Sequence, residues 1–460
     1  MKRVYLILAV ALMSLCAINA TAADKAAENK SEAKEHLQNH FKMYGFIRNY
    51  FAFDSRESVS GTGDLFYYLP KDVKMSDGVD LNATPSFRFL ALTSRVGVDV
   101  TGYYIGNLHF GAKVEGDFYA GLSAASGTDA SAYFPSNSKI GGTAQARLRQ
   151  AYATITWKDL PMGKSQKASV GLKIGQAWHP MAADHPHVFS LEVGAPFGPF
   201  SRTPLVQMDA NLGDNWVVSG AAIWQQQYQS AGPVGASAIY MKYGMTPEMY
   251  MAVAYKSGNF LARVGADFLS IKPRALGKLN DVTVKVSDRK TSILYYLYTQ
   301  YTHKNFGFKA KTVYGEGGEH MNLMSGYAKV GVNPDGSWNY ASMRNSSSWV
   351  SFTYGKKWQG VLMLGYVKNF GLADGAASGP IAKSDVYFCG NGFSNLNQMY
   401  RINPHLIYNI GKLNVGLEYQ WTAVQYGEYD NGSLNAKALA DKNLHWVGNN
   451  RVNMMIKYNF

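Results

Sequence analysis

The chain has 460 residues, a formal net charge of +13 and a charged fraction of 17%. That fraction is well below the usual quarter for a soluble protein. Beyond the first two dozen positions no apolar run of about 18 residues occurs, which excludes a membrane-spanning helix.

Taken in order, the chain opens with Lys2 and Arg3, followed by an apolar stretch from Val4 to Ile18. Ala20-Thr21-Ala22 and Thr21-Ala22-Ala23 offer small residues for cleavage. The pattern predicts a secretory signal peptide over 1–23, too short for a comfortable bilayer span. A lipoprotein reading at Cys16 is disfavoured, because Leu15 stands where a small residue is wanted. Once Cys16 is removed with the signal, Cys389 is left without a partner, so no internal disulfide is expected. Residues 24–40 are polar and Ala-rich and read as a periplasmic N-terminal segment; without a sustained heptad, a coiled coil has weak support. No nucleic-acid partner is expected behind a secretory signal. The basic excess points instead to anionic lipid or an anion-favouring interior.

From Phe41 the pattern is strand after strand. Phe41, Met43, Gly45, Ile47, Asn49, Phe51 and Phe53 alternate with Lys42, Tyr44, Phe46, Arg48, Tyr50, Ala52 and Asp54. Period two is the signature of a strand with two different faces. Further strands are predicted at 87–102, 108–118, 144–157, 168–177, 203–211, 214–228, 246–256, 259–271, 289–303, 306–317, 345–355, 358–370, 397–410, 412–426 and 447–460. That makes about sixteen, an even number as bacterial barrels have. In the last strand Val452, Met454, Ile456, Tyr458 and Phe460 form an apolar row against Arg451, Asn453, Met455, Lys457 and Asn459.

The connections alternate in length. Long ones fall at 56–86, 119–143, 178–202, 229–245, 272–288, 318–344, 371–396 and 427–446. Short ones fall near 103–106, 159–165, Gly213, Ser257-Gly258, Asn305, Lys356-Lys357 and Gly411. A transmembrane antiparallel β-barrel with both termini in the periplasm predicts this parity: long loops outside, tight turns inside. A mean hydropathy of −0.19 with 13% aromatic residues suits strands that face lipid on one side and water on the other. In hydrocarbon such strands satisfy their backbone groups only by closing into a ring. A ring of about sixteen is too wide for side chains to fill, so an aqueous channel is expected.

The terminal strand resembles that of bacterial outer-membrane β-barrels, where the final aromatic is read by the barrel assembly machinery; here the residues are Phe460 and Tyr458. Five further stretches resemble the DcaP-like and related Gram-negative porins of the general porin superfamily. These are Gly45-Phe46-Ile47-Arg48-Asn49-Tyr50-Phe51 with Asp54-Ser55-Arg56, Thr93-Ser94-Arg95-Val96-Gly97, Arg147-Leu148-Arg149-Gln150-Ala151-Tyr152, Gly175-Gln176-Ala177-Trp178-His179-Pro180, and Ser201-Arg202-Thr203-Pro204. Lys256-Ser257-Gly258-Asn259-Phe260 fits a later hairpin. The resemblance covers residues 40–270 by motif and the rest by pattern. It implies a sixteen-stranded homotrimeric porin of the cell outer membrane, set among lipid and lipopolysaccharide, that passes small, often anionic solutes. The chain departs from DcaP itself in lacking a clear N-terminal coiled coil, which removes the support for that route to a trimer.

In porin-like barrels the loop after the fifth strand folds inward and narrows the pore. Here that is 178–202, carrying Asp184 and Glu192. The polar rows opposite offer Arg48, Arg95, Lys113, Arg147, Arg149, Lys173 and Arg263. Arg147 and Arg149 stand two residues apart on one face. Clustered cations in a narrow wet pore concentrate anions, and guanidinium suits carboxylates. The competing reading pairs these cations with Asp99, Glu115, Asp117 and Asp267 in a neutral wall. His179, His185 and His187 with Asp184 have metal-ligand chemistry, but they read better as loop residues, so no metal site is expected. Trp178, Phe189, Phe197 and Phe200 read as packing of the inward loop rather than a sugar slide. No nucleophile elbow, phosphate loop or zinc helix occurs, so neither an enzyme nor a cofactor is expected. Two functions follow: a passive porin for small hydrophilic solutes, favouring carboxylate anions, or a structural or adhesive barrel that binds ligands through its extracellular loops.

Overall fold

The computed structural model describes residues 40–61, 66–91, 93–120, 135, 144–163 and 166–460. The expected signal peptide, residues 24–39 and most of the 119–143 connection lie outside them.

A closed ring of 16 antiparallel strands forms the molecule. They are β1 Phe41–Asp54, β2 in two pieces (Ser86–Leu90 and Arg95–Ile105), β3 Leu108–Ala120, β4 Ala144–Met162, β5 Gln166–Trp178, β6 Arg202–Leu212, β7 Trp216–Ile223 and β8 Glu248–Ser257. The second half comprises β9 Phe260–Ile271, β10 Lys290–His303, β11 Phe306–Glu316, β12 Arg344–Gly355, β13 Trp358–Gly371, β14 Leu396–Ile410, β15 Leu413–Glu428 and β16 Lys442–Asn459. Every strand expected from the sequence has its counterpart. β16 pairs with β1 from Phe46↔Asn459 to Asp54↔Arg451, so the sheet has no open edge. Closure is what lets weakly hydrophobic strands reside in hydrocarbon.

Alternation decides the two faces. On β16, Val452, Met454 and Tyr458 are exposed, whereas Arg451, Asn453 and Met455 are buried inside. Elsewhere Met43, Ile47, Met208, Met251 and Leu417 are also exposed on the outer surface. Phe460 helps seal the ring: its N–H donates to Gly45 O at 3.1 Å, and its side chain lies where a Cβ on residue 45 would stand. The tight turns need a residue in the left-handed region, which Gly258 (φ 53°) and Gly411 (φ 56°) supply.

Three features differ from the expected pattern. β2 has two pieces, ending at Leu90 and resuming at Arg95; next to the second, Arg48 N–H donates to Ser94 Oγ at 3.2 Å and Arg48 Nε to Thr93 Oγ1 at 3.1 Å. β7 stops at Ile223 rather than at 228. There Gln225 turns to Ser230, and Gln227 Oε1 accepts from Arg202 N at 3.1 Å, so the amide side chains compete with the ladder. The long connections carry hairpins of their own, Ser58–Gly61 with Phe66–Pro70 and Gly326–Val332 with Trp338–Ser342. A sixteen-strand ring leaves a wide interior, and residues 179–201 enter it: Met181, Phe189 and Phe197 are buried with Tyr50, Trp349 and Met363 of the wall.

Candidate functional site

The inward loop starts as β5 ends at Trp178. His179 caps a short turn, Pro180–Ala182, in which Pro occupies the first position and the His ring accepts from Met181 N. The chain then crosses the lumen and is held by both shape and charge. The Phe197 ring occupies the space above Gly365 of β13, and the Phe189 ring lies 2.9 Å from where a Cβ on Gly416 of β15 would be. Any side chain at either glycine would collide with the loop. Lys311 of β11 donates to Met181 O at 2.7 Å and Asp184 O at 3.0 Å, and Ser351 of β12 accepts from His187 N at 3.2 Å. Tyr50 of β1 donates to Phe189 O.

Both acids of the loop are engaged in ion pairs. Asp184 pairs with Arg263 of β9. Glu192, 1% exposed, lies 3.3 Å from Arg401 of β14 and 3.9 Å from Arg451 of β16. Burial raises the Glu192 carboxyl, against the pull of Arg451 and Arg401. On the same loop, burial pushes His185 well below its ordinary value, aided by Lys311 and Lys309. His187 falls to about 4 through burial and the nearby Lys309 and His405.

The remaining candidates line the wall facing the loop. Arg147 makes a two-pronged pair with Asp117 at 2.8 and 2.9 Å. Arg149 bridges Glu115 and Asp117, each at 2.8 Å. Arg95 lies 3.7 Å from Glu115, and Lys113 lies 2.8 Å from Asp99. Among the described residues, Arg48, Lys173, Arg202 and Lys457 have no carboxylate within ion-pair distance. Arg48 sits over Phe46 and Tyr50, at 4.8 and 5.1 Å from their ring centres, and Lys173 sits 5.5 Å from Tyr152. Arg202 stacks on Trp178 at 4.9 Å and on Phe200 at 5.8 Å, and its Nη1 has no hydrogen-bond partner. A cavity of about 430 Å³ opens beside it, lined also by Arg147, Gln176, Gln226, Gln227, Tyr228 and Asn391. Among the described residues, no cation lies within ion-pair distance of Asp209 of β6, which accepts from Gln207 and Ser219.

The chain aligns along most of its length with solved structures. The crystal structure of the outer-membrane channel DcaP of Acinetobacter baumannii covers 91% of this chain and 97% of its own, at TM-score 0.59 and 18% identity. The fold is that of a DcaP-like outer-membrane porin. An anion-selective porin from Comamonas acidovorans covers 91% and 99%, at TM-score 0.48 and 10% identity. No family model matches the chain, and no curated protein does.

Within this DcaP-like barrel the nine sequence candidates divide by partner. Arg95, Lys113, Arg147 and Arg149 join carboxylates of their own wall, as the neutral-wall reading anticipated for Glu115, Asp117 and Asp99. Asp184, Glu192 and Arg263 fasten the loop. Arg48 and Lys173 stay without a carboxylate. Asp267 meets His179 rather than a cation of the wall, and the three loop histidines diverge: His185 stacks edge-on with Trp178, while His187 is exposed. Arg202, Lys311, Arg401 and Arg451 were not among the candidates. Lys309 and Lys311 stand two apart on one face, the same signal that singled out Arg147 and Arg149. Arg202 lay in a quoted motif, next to Phe200.

Proposed function

We propose that this protein is a passive outer-membrane pore for small hydrophilic solutes, with a preference for anions such as carboxylates. The observation that carries the anion preference is that, among the described residues, Arg48, Lys173, Arg202 and Lys457 on the inner wall have no carboxylate within ion-pair distance. A cation taken out of bulk water costs several kcal/mol unless an opposite charge compensates it. Here a mobile anion in the lumen supplies that charge. Arg202 beside Gln226, Gln227 and Asn391 offers a carboxylate both a charge and neutral donors. We further propose that the barrel sits in the outer membrane as a homotrimer among lipopolysaccharide, and that Phe460 with Tyr458 guides its assembly by the barrel machinery. The apolar outer row of β16 and the seating of Phe460 on β1 support this.

The test is the zero-current potential of the purified protein in a planar bilayer across a tenfold KCl gradient. The expected sign is that of a chloride-preferring pore. A cation-preferring sign would overturn the charge argument, and no steady conductance would favour an adhesive barrel.

A further inference from the structure

At the root of the inward loop, three side chains from three elements meet away from solvent. His179 opens the loop, Glu248 begins β8 and Asp267 lies on β9; all three are fully buried. Their donor atoms all lie within 4.8 Å of one another. His179 Nε2 is 2.8 Å from Glu248 Oε1 and 3.6 Å from Asp267 Oδ2. His320, in the short turn Glu319–Met321 after β11, approaches the same Glu248 oxygen at 3.0 Å.

The two carboxylates here face only histidines, whereas other buried carboxylates of the lumen face arginines. Buried Asp54 has Arg88, Asp117 has Arg147 and Arg149, and Glu192 has Arg401. Among the described residues, no Lys or Arg lies within ion-pair distance of Glu248 or Asp267, and Glu248 Oε2 and Asp267 Oδ2 have no hydrogen-bond partner. Two carboxylates side by side in a dry site repel one another and need compensation.

We infer that His179, Glu248 and Asp267 form a binding site for a divalent transition metal of the zinc class, with His320 adjoining. One imidazole nitrogen and two carboxylate oxygens are a donor set that zinc accepts, with the fourth position left to His320 or water. Calcium and magnesium ask for six or more oxygens, which this site does not offer. Ligands at about 2.0–2.1 Å from a tetrahedral ion stand about 3.3–3.4 Å apart. The observed spacings of 2.8, 3.0 and 3.6 Å bracket that value, so small side-chain shifts suffice.

Loading requires one local rearrangement. Met181 N–H donates to His179 Nδ1 at 3.1 Å, which leaves the proton of a neutral ring on Nε2, pointing at Glu248. The ion takes the place of that proton. The ring proton then belongs on Nδ1, and Met181 loses its acceptor. Metal binding is thereby coupled to the first turn of the inward loop, Pro180–Ala182, and joins that loop to β8 and β9.

The experiment uses the folded full-length protein in detergent, stripped with chelator and then equilibrated with Zn²⁺, both after folding and during refolding. Bound zinc is counted by elemental analysis after dialysis. The expected result is one Zn²⁺ per chain retained at micromolar concentration, at least tenfold weaker in Glu248→Gln and in Asp267→Asn, and unchanged in the control His187→Ala. Co²⁺ on the unmutated chain gives a second readout that needs no variant. The visible absorption of a four-coordinate ion is expected, and the weak band of a six-coordinate one would overturn the assignment. It is equally overturned if wild type retains no zinc under either condition, or if both Glu248→Gln and Asp267→Asn retain it at wild-type affinity.

Discussion

Replacing Arg202 by Gln removes an inner-wall charge that has no carboxylate within ion-pair distance among the described residues. Arg202 is 2% exposed, and its guanidinium lies 4.9 Å from the Trp178 ring. An anion about 4 Å from such a charge gains about 1 kcal/mol in bulk-like water and about 4 kcal/mol at an effective dielectric of 20. The cavity beside Arg202 lies between these limits, because at about 430 Å³ it has room for water while Trp178 and Phe200 back the charge. At about 1.4 kcal/mol per decade, the lower limit alone is a fall of about fivefold in anion partition. Arg147 makes a useful contrast, since it is bound two-pronged to Asp117. Arg147→Gln with Asp117→Asn removes a neutral unit, so its effect should be well below that of Arg202→Gln. The measurement is the zero-current potential across a tenfold salt gradient, wild type against each variant, with the dilute side at about 0.1 M. Repeating it near 1 M should shrink the Arg202 effect, because the screening length falls from about 10 Å to about 3 Å. If Arg202→Gln leaves the potential unchanged at low salt, or if the neutral pair shifts it as much, the uncompensated-charge argument is wrong.

Four other outcomes are expected. Gly365→Val places a side chain where the Phe197 ring lies; overpacking of this kind costs about 1–3 kcal/mol, and single-channel recording should show larger, noisier current as the loop lifts, whereas wild-type traces would mean that Phe197 yields without moving the loop. Met454→Arg, on the outer row of β16, should destabilise the barrel by about 2–4 kcal/mol if it lies at the bilayer midplane; urea unfolding in lipid vesicles checks this, and a change under about 0.5 kcal/mol would put residue 454 outside the hydrocarbon. His185 and His187 are held below their ordinary value in the docked loop, while a released loop takes up protons near 6.5. Docking should therefore be complete above about pH 6.5 and weaken as pH falls towards 4, read as growing current noise; noise that instead falls on acidification would contradict the sign. Phe460→Asp removes a ring packed over Gly45 and should lower the heat-modifiable, folded fraction recovered from membranes, a fraction that stays at wild-type level if Phe460 carries no assembly signal.

The fold was legible because each of its determinants repeats along the chain. The alternation at Val452 to Phe460 has a period of two, and it needs no knowledge of a partner strand to assign its faces. The parity of long and short connections is likewise a one-dimensional signal. Gly258 and Gly411 mark turns because the backbone there needs a positive φ. Where the expectation slipped, a side chain competed with the ladder: Gln225 and Gln227 end β7 early, and Arg48 bonds to Thr93 between the two pieces of β2. These are local polar choices superimposed on a regular pattern, and the pattern carries no trace of them.

The site was legible by residue type and much less so by partner. Arg147 and Arg149 stand out because two cations share a face. That Asp117 on the next strand answers both depends on the β3–β4 register, including the irregularity at Glu115/Gly116. The pairing of Glu192 with Arg401 spans 209 positions and needs the loop to cross the lumen first. Glycine in a strand was the overlooked clue. Gly365 and Gly416 leave gaps in the inner wall, and the loop fills them with Phe197 and Phe189. A glycine costs a strand stability unless something else approaches closely, so inward-facing glycines on β13 and β15 mark where the loop must lie. That constraint has a consequence for charge. With its rings seated on β13 and β15, the loop commits its own acids to Arg263, Arg401 and Arg451. Arg48, Lys173, Arg202 and Lys457 are then left without acids from the loop, and the charge that the lumen offers depends on where two phenylalanines can pack.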